Sequence, residues 1–220
     1  MSYRVDTVPL PLRPFYLAAS SVCALILYGY YVVCRLTSRI AIDGPGNHDL
    51  SQHAIFCVWH QNWWLYSVVF VRYRSRHATF SHPAAYMKPV HLAFRLMGLK
   101  RLLLGSSGEE GRHAADELAQ LVRQGCSATI SPDGPYGPPR ILKKGILHVA
   151  LKSGVPIVPL TIAPSRFITW PSWDCKKFPL PFSRIRVTVH RPIAVSGMNF
   201  ESAARLVVAA LGGSDCAAAA

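Results

Sequence analysis

Acid is scarce in this chain, and the scarcity is local. Eleven Asp and Glu stand against 24 Lys and Arg, and no acidic residue lies between Asp49 and Glu109. No two cysteines form a C-x-x-C pair, and no cluster of metal-ligand type is visible, which leaves no framework for a structural zinc or a resident metal. No G-x-S-x-G elbow is present, so an α/β-hydrolase nucleophile has no place to sit. No G-K-[ST] follows the one glycine-serine turn, which excludes a Walker loop. No stripe interleaves basic residues with stacking aromatics, which argues against nucleic acid as a partner. Internal repeats and linkers are absent too, and 220 residues suit one domain with a sizeable core.

What is present is apolar and basic. Half the residues are hydrophobic, only 16% are charged, and the formal net charge is +13. A basic chain meets anionic lipid headgroups, phosphorylated small molecules or nucleic acid, and this apolar composition favours lipid. The six cysteines, at positions 23, 34, 57, 126, 175 and 216, read as reduced thiols, consistent with a domain facing the cytosol.

Phe15 to Cys34 carries no charge, with Arg13 before it and Arg35 and Arg39 after it. A helix of about twenty residues is about 30 Å long, close to the hydrocarbon thickness of a bilayer. Tyr28, Tyr30 and Tyr31 cluster near one end, as interfacial aromatics do. The expectation is a membrane-anchoring helix. A cleaved signal peptide fits poorly, since the apolar stretch starts late and no A-x-A-like site closes it. A buried core helix is the remaining alternative, and whether an anchor would span or lie in one leaflet stays open.

Downstream, apolar strands alternate with amphipathic helices. Strands are expected at Arg39–Ile42, Ala54–Trp59, Ala78–Ser81, Arg101–Leu104, Ser127–Ser131, Val155–Ile162 and Arg184–His190. Helices are expected at Gln61–Val71, Val90–Met97, Glu109–Arg123, Gly145–Lys152 and Phe200–Leu211. The predicted fold is α/β, a single domain with a mixed, mostly parallel central sheet flanked by helices, preceded by the anchor helix. Its expected limits are 1–38 for lead-in and anchor, 39–213 for the catalytic domain and 214–220 for a disordered tail.

Three strand-following loops carry candidate chemistry. Trp59-His60-Gln61-Asn62 places a histidine at a strand end ahead of a helix, where it suits a general base; a structural histidine among tryptophans is the alternative. Gly105-Ser106-Ser107-Gly108 offers free backbone N–H groups to an anion, or is an ordinary turn. The Ser131–Arg140 loop, followed by Lys143 and Lys144, sets positive charge at a helix start, where it favours an anion rather than the helix.

In order along the chain stand Trp59-His60, Gly105-Ser106-Ser107, Asp133-Gly134-Pro135-Tyr136-Gly137-Pro138, Gly154-Val155-Pro156-Ile157-Val158-Pro159, Ser172-Trp173-Asp174 and Pro179-Leu180-Pro181-Phe182. From about residue 54 to 195 this series resembles the lysophospholipid acyltransferase superfamily, the glycerolipid and lipid A type acyltransferases. The nearest branch is a bacterial one formerly catalogued as a domain of unknown function. The resemblance implies an O-acyltransferase that moves a fatty acyl chain from an acyl thioester to a lysophospholipid or related lipid. It implies His60 as general base. It places Asp133, Gly134 and Pro135 where the family's phosphate-binding loop lies. Asn62, Ser106, Ser107, Arg140 and Lys143 complete the expected substrate-binding set. Acyl-CoA or acyl-carrier protein would be the co-substrate, with membrane lipids as partners and no cofactor. The oligomeric state is not legible.

One departure stands out. The family's histidine carries an acid five residues on, in H-x4-D, and position 65 here is Leu65. The branch's D-G-E motif aligns with Tyr86-Met87-Lys88. Three readings follow: a distant acid (Glu109, Glu110 or Asp133) folds in, a neutral partner such as Asn62 or Tyr86 orients the ring, or the chain is a catalytically weak or inactive lipid-binding member. His82 and His91 are rival bases outside the matched motifs.

Overall fold

The computed structural model describes residues 4–5, 7–45, 52–70, 76–105 and 109–212. Its strands are β1 (Arg39–Asp43), β2 (Ile55–Cys57), β3 (His77–Ser81), β4 (Arg101–Leu104), β5 (Ser127–Ile130), β6 (Ile157–Pro164), β7 (Phe167–Thr169), β8 (Lys177–Pro179) and β9 (Arg184–Val189). Its helices are α1 (Arg13–Thr37), α2 (Trp63–Val69), α3 (Lys88–Leu96), α4 (Glu109–Arg123), α5 (Lys144–Ser153) and α6 (Phe200–Leu211). A single 3₁₀ turn, His60–Asn62, precedes α2 where the sequence predicted helix throughout.

Seven strands form one sheet in the order β1-β9-β6-β2-β5-β3-β4. Strands β6, β2, β5, β3 and β4 run parallel, while β9 runs antiparallel to β6 and takes β1 with it. The mixed, mostly parallel sheet expected from the sequence is therefore present. Its central strands are buried on both faces, which is why β2 and β5 read as unbroken apolar or small runs. In β2 successive side chains serve opposite layers. Ile55 and Cys57 join Leu118, Val122, Ile146 and Val207 under α4, α5 and α6. Phe56 and Val58 join Leu65, Tyr66 and Phe94 under α2 and α3. Strand β9 shows the half-exposed version, with Ile185, Val187 and Val189 inward and Arg184 and Arg186 outward.

Helix α1 packs along α3 and α2 and buries Ser20, Ala24, Tyr31 and Cys34. That spacing is one helical stripe. The opposite stripe, including Phe15, Val22, Ile26, Val33 and Leu36, is exposed and apolar. By length and composition α1 is able to cross a membrane, with mean hydropathy 1.8 over its apolar window. Its inner stripe nevertheless belongs to the core of the domain.

The hairpin β7–β8 is absent from the sequence-based expectation. All three β7 residues are exposed, so no alternation marks the strand. It stands apart from the main sheet and is held by α1 and α2. Phe178 packs tilted against Trp64 with ring centroids 4.7 Å apart, the Pro179 carbonyl accepts from the Tyr30 hydroxyl and the Cys34 thiol, and Thr37 Oγ1 accepts from Phe182 N–H.

Candidate active site

The C-terminal ends of parallel strands are where α/β sheets place their ligands, and the candidate residues collect there. His60 opens the turn after β2. The loop from Ser131 to Arg140 follows β5, and the turn of the β7–β8 hairpin folds over both.

His60 is held at two points. Its backbone N–H donates to Asp133 Oδ1 at 3.0 Å, and its Nδ1 lies 2.6 Å from Asp174 Oδ2. A carboxylate only accepts, so Nδ1 carries a proton, and in the neutral ring the lone pair is on Nε2. The imidazole is about a quarter exposed, 23%, while the Asp174 side chain is fully buried. Asp174 Oδ1 accepts from the Ser172 hydroxyl at 2.6 Å and from Lys176 Nζ at 2.9 Å. Burial works to raise its pKa; the hydrogen bonds from His60, Ser172 and Lys176 outweigh burial and hold the carboxyl well below the usual range. The carboxylate is thus ionised, fully hydrogen-bonded and aimed at the ring. Trp173 stacks on that ring at 5.2 Å, fixing its plane.

Gln61, also buried, ties the two loops together. Its Oε1 accepts from the Arg140 guanidinium at 3.0 Å and its Nε2 donates to the Cys175 carbonyl at 3.1 Å. Both partners are non-glycine residues in left-handed backbone, Arg140 at φ 60° and Cys175 at φ 49°. Such a conformation costs roughly 1–2 kcal/mol per residue, and here it falls at Cys175, next to Asp174 in the chain, and at Arg140, bonded to Gln61 and Asp133. Gly137, at φ 70°, approaches Trp173 so closely that a Cβ there would fall 2.5 Å from the indole. Gly134 brings its backbone against His60, where a Cβ would meet Cδ2 at 3.1 Å.

Several expectations change. Asp133 was expected among the substrate-binding residues. Instead its carboxylate is buried and faces main chain, accepting from His60 N–H and from Arg140 N–H, both at 3.0 Å. Its geometry is that of a clamp between the ends of β2 and β5. Lys143 Nζ donates to the Gly134 carbonyl at 3.0 Å, and burial lowers its pKa while Asp133 pulls the other way. Of the other expected substrate-binding residues, Gly134 lies against His60, Arg140 bonds Gln61 and Asp133, and Lys143 bonds the Gly134 carbonyl. Asn62 has a buried Oδ1 with no partner among the described residues and does not orient the ring. Ser106, Ser107, the tail 214–220 and the side chains of Glu109 and Glu110 lie outside the described part.

Among the described residues the acid on the His60 ring is therefore Asp174, while Asp133 bonds only the His60 backbone N–H. Asp174 was visible only as part of the Ser172-Trp173-Asp174 motif. One signal was available: it is the sole acid between Asp133 and Glu201. Neither rival histidine has comparable support. His91 is buried against Ser81 Oγ at 2.8 Å, and burial, with Lys88 nearby, pushes its pKa down to about 4. His82 bonds the Tyr136 hydroxyl and accepts from Ala84 N–H at 3.2 Å; burial and then Arg4 lower its pKa.

No family model matches the chain. It is 27% identical to an uncharacterised protein of Rickettsia prowazekii over 180 residues, covering 80% of this chain and 82% of that one. Its structure is similar to that of PlsC, the 1-acyl-sn-glycerophosphate (LPA) acyltransferase of Thermotoga maritima, with a TM-score of 0.52. That match covers 89% of this chain and 84% of the other at 17% sequence identity. It establishes a shared fold, that of an acyltransferase.

Proposed function

We propose that this chain is an O-acyltransferase. It transfers a fatty acyl chain from acyl-CoA or acyl-carrier protein to the hydroxyl of a lysophospholipid or related lipid, at the cytosol-facing surface of the cytoplasmic membrane. The observation that carries this reading is the buried Asp174 carboxylate bonded to His60 Nδ1, which leaves Nε2 as an open base at the strand ends. The shared fold with a lysophosphatidic acid acyltransferase supports it, as does the exposed apolar stripe of α1.

His60 Nε2 accepts the proton of the acceptor hydroxyl as its oxygen attacks the thioester carbonyl. The tetrahedral intermediate then collapses with loss of thiolate, and the imidazolium returns its proton to that thiolate. Ester and free thiol result, and atoms balance. Asp174 stays ionised and stabilises the imidazolium, while Trp173 and the Asp133 clamp keep the ring in place. Arg140 and Lys143 stand on the same loop as the cations able to receive an acceptor phosphate. The reading as an inactive lipid-binding member rested on the missing H-x4-D acid, and Asp174 removes that motive.

His60→Ala tests the reading. Transfer of a labelled acyl chain from acyl-CoA to lysophosphatidic acid and related lysolipids should fall by about 10³-fold or more, with an unchanged circular dichroism spectrum. Undiminished transfer would reject His60. No transfer by the wild-type chain with any donor and acceptor pair would reject the enzyme.

A further inference from the structure

Beyond α1, a second surface of this molecule has the composition of a membrane interface. Residues 165–171, the outer strand and tip of the β7–β8 hairpin, are exposed without interruption. They include Phe167, Ile168 at 55% exposure and Trp170 at 59%. Phe182, just past the hairpin, is 72% exposed. A row of large apolar side chains in water is unusual for a soluble surface. Tryptophan beside cations is what the headgroup layer of a bilayer selects.

Charge points the same way. From Ala163 to Arg191 the chain carries Arg166, Lys176, Lys177, Arg184, Arg186 and Arg191, against a single acid. That acid is Asp174, buried and bonded to His60. From Thr7 to Ile42 no acid occurs at all. Every exposed charge on both segments is therefore positive. The two segments also touch. Pro179 is bonded to Tyr30 and Cys34, and Phe182 N–H to Thr37, which sets Phe182 beside the turn of α1 that carries exposed Leu36.

We infer that the β7–β8 hairpin is a membrane-contacting element in its own right, which seats Phe167, Ile168, Trp170 and Phe182 in the headgroup layer of an anionic bilayer. Arg166 and Lys177 meet the lipid phosphates. Because Asp174 lies in the turn of the same hairpin, that contact sets the His60–Asp174 pair at the lipid surface, where a lysolipid hydroxyl is presented. The inference takes its setting from the proposed membrane-surface activity, but its test needs no turnover.

The test uses the full chain with vesicles of phosphatidylcholine and phosphatidylglycerol whose acyl chains are brominated near the headgroup. The difference in emission between wild type and Trp170→Phe isolates Trp170 from the other four tryptophans. That difference signal should lose roughly half its intensity or more in brominated vesicles, and its quenching by aqueous iodide should drop on adding lipid, since interfacial side chains sit about 5–10 Å deep. Arg166→Gln/Lys177→Gln should weaken partition into phosphatidylglycerol vesicles by about tenfold and leave phosphatidylcholine partition unchanged. Three results would overturn the inference. One is a difference signal indifferent to brominated lipid. Another is equal partition of the charge variant and wild type into anionic vesicles. The third is shielding of Trp170 from iodide without lipid, accompanied by the mass of a dimer, which would assign the surface to a second copy. Loss of acyl transfer in wild type, with Trp170 quenching intact, would reject the enzyme and leave the hairpin contact standing.

Discussion

Asp174→Asn separates the dyad from every other role of the hairpin, because it keeps shape and removes one charge. In the wild-type site Oδ2 faces His60 Nδ1 and Oδ1 takes two donors, Ser172 Oγ and Lys176 Nζ. An asparagine has one acceptor and one donor end. Its carbonyl turns toward Ser172 and Lys176, since one of those donors is charged and a charged donor binds about twice as strongly as a neutral one. The amide NH₂ then faces His60 and donates to Nδ1. The ring proton moves to Nε2, and the base loses the lone pair it needs. The equivalent tautomer error in a serine-protease triad lowers kcat by about 10⁴.

The expected outcome here is a fall in kcat of about 10³–10⁴, with KM for both substrates within roughly threefold, because no substrate contact changes. Thiol release from acyl-CoA reports the rate, and ¹⁵N chemical shifts of His60 report the tautomer directly. Stability should fall by only about 1–3 kcal/mol, the cost of one weakened buried hydrogen bond. A variant that folds, shows Nδ1 unprotonated and still turns over within tenfold of wild type would refute the dyad. So would a wild-type ring protonated at Nε2.

Asp133→Ala should destabilise the chain by roughly 2–5 kcal/mol, since it strips the N–H groups of His60 and Arg140 of one acceptor. A denaturant melt reads the loss, and the accompanying fall should be in kcat rather than in lysolipid affinity. His91→Gln should flatten the acid side of the stability profile. Burial lowers the folded pKa of His91 to about 4 from an ordinary value near 6.5. Its contribution is present above 6.5 and is lost as pH falls toward 4, because the unfolded chain binds the proton first. Urea midpoints at pH 7 and pH 4.5 should therefore differ less in the variant than in wild type; equal differences would remove His91 from the acid response.

Where periodicity was strong, the sequence was legible to the residue. The limits of α4, α6 and β4 match the pattern of apolar positions and end signals. The central strands were legible because burial on both faces makes them continuously apolar. Hairpin β7–β8 was not, since a strand exposed on every residue has no hydrophobic period. Helix α1 was legible in extent but not in its dual character, because its buried stripe of Ser20, Ala24, Tyr31 and Cys34 is no more apolar than its exposed one. His60 stood out as a candidate only when its place at a strand end was joined to the ordered motifs downstream. Asp174 lies 114 residues away and was not among the distant acids the sequence offered. The clue was electrostatic: one acid retained in a long basic stretch, flanked by Ser172 and Lys176, both of which bond it.

The empty H-x4-D position carries a last prediction. If an acid five residues after His60 could serve this fold directly, Leu65→Asp should rescue Asp174→Asn. The structure predicts the opposite. Leu65 is fully buried among Tyr31, Phe56, Val58, Tyr66 and Phe94. A 3₁₀ turn at His60–Asn62 separates His60 from α2, so the register of a continuous helix does not apply. An aspartate at 65 loses leucine packing worth about 2–5 kcal/mol. It also buries a carboxyl with no cation in that apolar cluster, at a further cost of several kcal/mol or of staying protonated. Against a typical total of about 5–15 kcal/mol, the chain is left near its unfolding threshold. Asp174→Asn/Leu65→Asp should thus show no more transfer than Asp174→Asn alone, and Leu65→Asp alone should lower the urea midpoint sharply. Leu65→Asn, which removes the leucine but adds no charge, separates packing from charge in the same melt. Recovery of the double variant to within tenfold of wild type would show that either position can supply the acid, and that the hairpin is dispensable to the base.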